Sequence, residues 1–205
     1  MDIVAILFNS ELLKLYGEDG VAAYGVVLYI SYIFLAVFLG YSISMNPVVG
    51  CNYGSKNRKE IRNILIKSLV LNAITGAAMT AVAEGCASVF SEVFVGYDSG
   101  LRSLITTALR LYSLCFIFSG INIFASSFFT GLNDGLDSAV ISFSRSLVFE
   151  VVAVYLLPML FGQSAIWLAM LASEILSLAV TSALLMLRRN KYGYGKTEFD
   201  GATKD

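Results

Sequence analysis

Glu150 and Glu174 are the residues of this chain best placed to do chemistry. Each lies inside a long apolar run, where a carboxylate is costly and marks a functional position by default. An acid held there could carry a proton. Arg145 is the nearest cation in sequence to Glu150. Five residues turn a helix by about 140°, so those two are not a natural intrahelical pair and any partner comes from another helix. Arg110 and Arg145 could also snorkel or bind internal backbone carbonyls.

Polar residues surround these charges in stripes. At about 100° per residue, Ser119, Asn122, Ser126, Thr130 and Asn133 share a narrow arc of one helix. Ser138, Ser142, Arg145, Ser146 and Glu150 form a broader stripe on the next. Glu174, Ser177 and Thr181 share a face, as do Ser68, Asn72 and Thr75. Two readings stay open. The stripes either turn toward one hydrated space, with Asn122, Ser126, Arg145, Ser146 and Ser177 as its lining, or serve as polar glue between helices at about 0.6 kcal/mol per contact.

Other chemistries find little support. The chain has no histidine, which removes the usual general base and the commonest metal ligand. Cys51, Cys86 and Cys115 are odd in number and widely spaced; they fit small apolar filling better than a metal site or disulfides. The run from Gly50 to Lys56 departs from a phosphate-binding loop in glycine spacing and in lacking Ser or Thr after the lysine. No nucleophile elbow or zinc-protease pattern occurs. The expectation is a protein that is not an enzyme, with no metal, no cofactor and no nucleic-acid partner.

The elements that carry these residues belong in a bilayer. Of 205 residues, 57% are hydrophobic and only 14% charged, with mean hydropathy +0.75. Soluble domains hold about 25% charged residues, and one core could not hide so much apolar surface. Charge-free runs delimit about six helices. The first, Ile3 to Tyr16, is short of the roughly 20 residues of a full span. The second follows Gly20 and ends near Asn46-Pro47, because proline breaks the hydrogen-bond ladder; Gly50 and Gly54 then allow a bend.

Asn57 and Glu60 read as the cap of a third helix reaching Phe90. The fourth covers roughly Leu101 to Thr130, before a Gly131-Leu132-Asn133-Asp134-Gly135 turn. The fifth covers Ser138 to Leu160, stopped by Pro158 and Gly162. Ser164 caps the sixth, which runs to Leu187. Residues 188–205 read as a polar, disordered tail.

Basic residues bias orientation. Lys56, Arg58 and Lys59, with Arg62 and Lys67 close by, lie two hairpins from Arg188, Arg189 and Lys191, so both clusters share one side. The turns at Glu18-Asp19, Glu92 to Asp98 and Phe161 to Ser164 carry no basic cluster. The C-terminus is therefore expected in the cytoplasm.

The order of motifs resembles multidrug and toxic compound extrusion (MATE) transporters. The resemblance rests on Asn46 and Pro47 through Gly50, Asn52, Tyr53 and Gly54 to Asn57, then a basic helix start. Gly17 through Gly25, Phe124 to Asn133, Ser144-Arg145, Leu157-Pro158 to Gly162, and Ile166 to Ala169 with Glu174 also fit. It implies an all-α, polytopic bundle: residues 1–187 as the C-terminal six-helix lobe with a clipped first helix, lacking its N-terminal six-helix lobe. It further implies proton- or sodium-coupled antiport of small organic, often cationic, compounds across the plasma membrane. Glu174 falls where an acid is usual in the family and Glu150 where an apolar residue is. A non-transporting membrane fragment or assembly subunit, or a relative of lipid-linked-oligosaccharide flippases, are the alternatives.

Overall fold

The computed structural model describes residues 3–96 and 98–195. Among them the only regular structure is helical: α1 (Ile3–Gly54), α2 (Arg58–Phe94), α3 (Ser99–Ser113), α4 (Phe116–Gly131), α5 (Gly135–Phe143), a π-helical stretch (Ser144–Phe149), α6 (Glu150–Phe161), a 3-10 stretch (Gln163–Leu168) and α7 (Ala169–Tyr192). Four helices are long and apolar enough to cross a membrane, and α3 with α4 make a fifth if that bent pair is one span.

α1 is two helices. Gly17 takes φ 66° and ψ −150°, a backbone region that glycine enters freely and other residues avoid. The chain folds back there, stacking the rings of Phe8 and Tyr24 with centroids 4.4 Å apart. A straight helix would hold those residues roughly 24 Å apart. Trp167 completes the clamp, 6.4 Å from the Phe8 ring and 6.2 Å from that of Tyr16. The turn expected around Glu18 is thus present, centred on Gly17.

The second half of α1 does not stop at Asn46-Pro47. The helix continues through Pro47 to Gly54, and the left-handed turn residue is Lys56, at φ 58°, rather than Gly50 or Gly54. Gly50 instead permits close packing, since a Cβ there would lie 3.4 Å from the Gly131 carbonyl oxygen. Asn57 caps α2 as expected, its side chain accepting from the Glu60 amide at 3.3 Å.

The fourth segment, expected as one stretch from about Leu101 to Thr130, is two helices. α3 and α4 meet at a 46° bend. Thr80 of α2 donates its hydroxyl to the Ser113 carbonyl at 3.1 Å, placing a side chain of another helix against the backbone at the bend. Gly76 lets α2 approach: a Cβ there would sit 2.4 Å from the Phe116 carbonyl oxygen. At the start of α3, Asp98 supplies a cap, accepting from the Gly100 and Leu101 amides at 2.8 and 3.1 Å.

α4 is the hub of the bundle, packed on α1, α2, α5 and α7. It buries Phe116, Phe124, Phe128 and Phe129 together with Ser119 and Asn122. Outward faces carry large apolar side chains, including Ile33, Ile74, Met159 and Leu187. That inversion suits a lipid surround.

The last helix differs from expectation at both ends. Ser164 makes no cap; the 3-10 stretch starts from Gly162, at φ 88°, without a side-chain cap. α7 passes Leu187 and ends at Tyr192, closed by left-handed Gly193. Arg188 forms a forked pair with Asp137 at 2.5 and 2.9 Å. Asp134 accepts from Lys191 at 2.9 Å and from the Tyr192 hydroxyl. Tyr192 and Tyr194 enter the apolar cluster around Phe128. The rest of the expected tail, 196–205, lies outside the described residues.

Candidate functional site

Glu174 lies at the centre of the polar interior and has no exposed surface. α7 delivers it toward α4, whose Ser119 and Asn122 face it one helical turn apart. Ser119 donates to Oε1 at 2.8 Å, and Asn122 Nδ2 donates to Oε2 at 2.7 Å and to the Glu174 carbonyl at 3.0 Å. Thr181, two turns along α7 from Glu174, donates to Asn122 Oδ1 at 3.0 Å. Both ends of the Asn122 amide are therefore satisfied.

The cation of the site is Arg145. Its Nη1 donates to Glu174 Oε1 at 2.8 Å, with one fifth of the Arg145 side chain accessible and none of Glu174. Arg145 belongs to the π-helical stretch, and such wider turns recur at functional sites. Serine hydroxyls crowd this stretch: Ser144 donates to the Val140 and Ile141 carbonyls at 2.5 and 3.1 Å, and Ser146 to that of Ser142 at 2.7 Å. Ser173 of α7 fixes the backbone from the other side, donating to the Arg145 carbonyl at 3.0 Å.

A cleft of about 230 Å³ opens beside the pair. α1 contributes Ser42 and Asn46, α4 contributes Asn122, Ser126 and Ser127, and Arg145 stands at its wall. Ser126 binds the Ser138 and Ser142 hydroxyls at 2.9 and 2.8 Å. Ser127 donates to the Ser42 carbonyl at 2.7 Å, tying α4 to α1. The Ser42 hydroxyl is buried without a hydrogen-bond partner among the described residues.

The structure brings Asn122, Ser126, Arg145 and Glu174 together. Ser177 is adjacent on α7 but fully buried, and its hydroxyl has no hydrogen-bond partner among the described residues. Ser146 departs from its expected place: it is exposed and bonds its own helix, and Ser142 lines the cleft instead. Glu150, half-buried at the start of α6, is not among the residues that line the cleft. Asn46 lines the cleft, whereas Asn52 bonds the Val48 carbonyl at 2.9 Å and Tyr53 packs edge-on to Tyr192.

Ser119 and Thr181, which appeared only in the stripes, are direct partners in the Glu174 network. Ser42, Ser127 and Ser173 carried no sequence signal beyond being hydroxyls in apolar helices. Arg110, the other buried-cation candidate, sits at the periphery, 3.8 Å from Glu84.

The bundle thus sets a buried carboxylate–guanidinium pair beside a polar cleft, behind an apolar exterior. The MatE family model matches residues 2–156. The chain belongs to the MatE family. Solved MATE transporters share its fold. One is a MATE in complex with MaL6, with TM-score 0.86 and 19% identity, covering 93% of this chain and 43% of that one. Another is an inward-facing multidrug resistance MATE transporter of the MOP superfamily, with TM-score 0.86 and 19% identity over 95% of this chain and 45% of that one. A MOP superfamily transporter from Pyrococcus furiosus Vc1, whose binding pocket is described as reversed in polarity, matches with TM-score 0.85 and 21% identity over 95% and 44% of the two chains. Curated proteins returned no match. This MatE chain is a multi-pass membrane protein with the fold of one transporter lobe, spanning less than half the length of those relatives.

Proposed function

We propose that this chain is the C-terminal lobe of a plasma-membrane antiporter that exports small organic, often cationic, compounds against protons or sodium ions. The Glu174–Arg145 pair is the observation that carries the reading. Glu174 is the coupling group and Arg145 its resting counter-ion. Arrival of a coupling cation at the carboxylate would weaken its hold on Arg145, and departure would restore it. Arg145 also faces the cleft, so its freedom is felt where a solute would bind.

The cleft supplies the second half of the argument. At about 230 Å³ it falls below the roughly 300–1,000 Å³ of complete ligand pockets. A second lobe facing it would provide the remaining wall, as repeat-built transporters place substrates at the midplane between halves. The basic ends of α2 and α7 fit a cytoplasmic C-terminus. Glu150 takes a secondary place in this scheme because it does not line the cleft.

The test is efflux of a fluorescent cation from proteoliposomes that contain this chain with an N-terminal lobe. An imposed proton or sodium gradient should drive efflux, and dissipating the gradient should stop it. Efflux indifferent to both gradients would remove the coupling claim.

A further inference from the structure

One end of the bundle holds a cavity of about 420 Å³ between the C-terminal end of α1, the start of α2 and the end of α7. Lys56, Arg58 and Lys191 line it together with Tyr53 and Tyr192. Lys191 is committed to Asp134 at 2.9 Å. Neither Lys56 nor Arg58 has an acidic partner among the described residues. The Glu174 site uses none of these groups.

The cavity is shaped as well as charged. Gly193 takes φ 76°, and a Cβ there would stand 2.4 Å from Arg58 Cδ and 2.8 Å from Nε. The missing side chain is therefore what lets the Arg58 stem lie against the α7 terminus. Tyr53 and Tyr192 meet edge-on, with ring centroids 5.7 Å apart, and Lys191 Nζ lies 4.8 Å from the Tyr192 ring centroid. Aromatic rings with lysine and arginine at a helix-bundle end are the chemistry of the headgroup layer.

Anionic headgroups offer a phosphate, which an arginine fork and a lysine charge complement. The volume falls within the roughly 300–1,000 Å³ of ligand pockets. By contrast, the opposite end carries Glu18, Asp19, Glu92 and Asp98 in its turns. We propose that this cavity binds a phosphate-bearing anion, supplied by the headgroup of an anionic phospholipid, through Lys56 and Arg58.

The test measures lipid retained by the purified full chain from nanodiscs mixing phosphatidylglycerol and phosphatidylcholine. The intact chain should enrich phosphatidylglycerol, and the double variant Lys56→Gln/Arg58→Gln should hold it roughly tenfold more weakly. Arg102→Gln, at the opposite end, should change nothing. The charge-keeping variant Lys56→Arg/Arg58→Lys should retain the preference, which separates charge from misfolding. Release of phosphatidylglycerol by inorganic phosphate would confirm the phosphate as the recognised group. Binding of inorganic phosphate by the intact chain but not by the double variant, with no lipid preference, would overturn the lipid source and leave a site for free phosphate. Equal retention of both lipids with no phosphate effect, or an unchanged double variant beside an unchanged control, would overturn the proposal.

Discussion

Arg145 of the π-helical stretch and Glu174 of α7, 29 residues apart in sequence, meet at 2.8 Å around a carboxylate that no solvent reaches. Burying such a pair is a weak source of stability, yet breaking it is expensive because one charge is left alone in a low-dielectric interior. Glu174→Ala should therefore destabilise the lobe by about 3–5 kcal/mol. Glu174→Gln keeps an acceptor for Ser119 and should cost less. Unfolding in mixed micelles checks the order; equal stability of all three proteins would mean that the pair is not formed.

Ser177 offers the opposite case. Its hydroxyl is fully buried and has no hydrogen-bond partner among the described residues, and an unpaired buried polar group is a cost rather than a support. Ser177→Ala should leave the melting temperature unchanged or raise it. A marked loss would reveal a partner for the hydroxyl in the folded protein.

Glycines in α2 separate packing from helix propensity. Gly76→Ala would push a Cβ to 2.4 Å from the Phe116 carbonyl oxygen and 3.1 Å from the Ile117 Cα, both backbone atoms at the α3–α4 bend. Overpacking of this kind costs about 1–3 kcal/mol. Gly85→Ala meets nothing within 4 Å and should be neutral or stabilising. Paired thermal melts measure the contrast.

Acid should release the end of α7. The Tyr192 hydroxyl and the Lys191 ammonium hold the Asp134 carboxyl down from 3.8 to about 2. A folded-state value lowered in this way gives stability that is complete above the unfolded value and lost as pH falls through the folded one. The anchor should hold above pH 3.8 and fail progressively toward about pH 2. Hydrogen exchange of the Lys191–Gly195 amides follows the loss, and Asp134→Asn should show fast exchange already at neutral pH.

The membrane bundle, its six helical units and the place of Glu174 among interior polar groups were legible in the sequence, because charge-free runs and isolated polar residues are local signals. Breaks written in three dimensions were not. The α3–α4 bend contains no glycine or proline, and the hydroxyl that meets its Ser113 carbonyl, that of Thr80, comes from another helix. Pro47 gave a stop signal that the helix overrides, since neighbouring helices in a membrane bundle tolerate proline. Arg188 and Lys191 resembled a solvated tail, and only the turn bearing Asp134 and Asp137 shows why the helix persists. The partner of Arg145 was foreseen as interhelical but not identified, because helical periodicity defines faces and not which faces meet.

In the proposed function, Glu174 couples solute movement to a cation gradient. This coupling is tested most directly by comparing two modes in proteoliposomes carrying both lobes: gradient-driven efflux and gradient-free exchange of labelled for unlabelled substrate. Glu174→Gln should abolish driven efflux while exchange continues, because solute binding survives when coupling is lost. Gradient-driven efflux by Glu174→Gln at the rate of the unaltered protein would contradict the account.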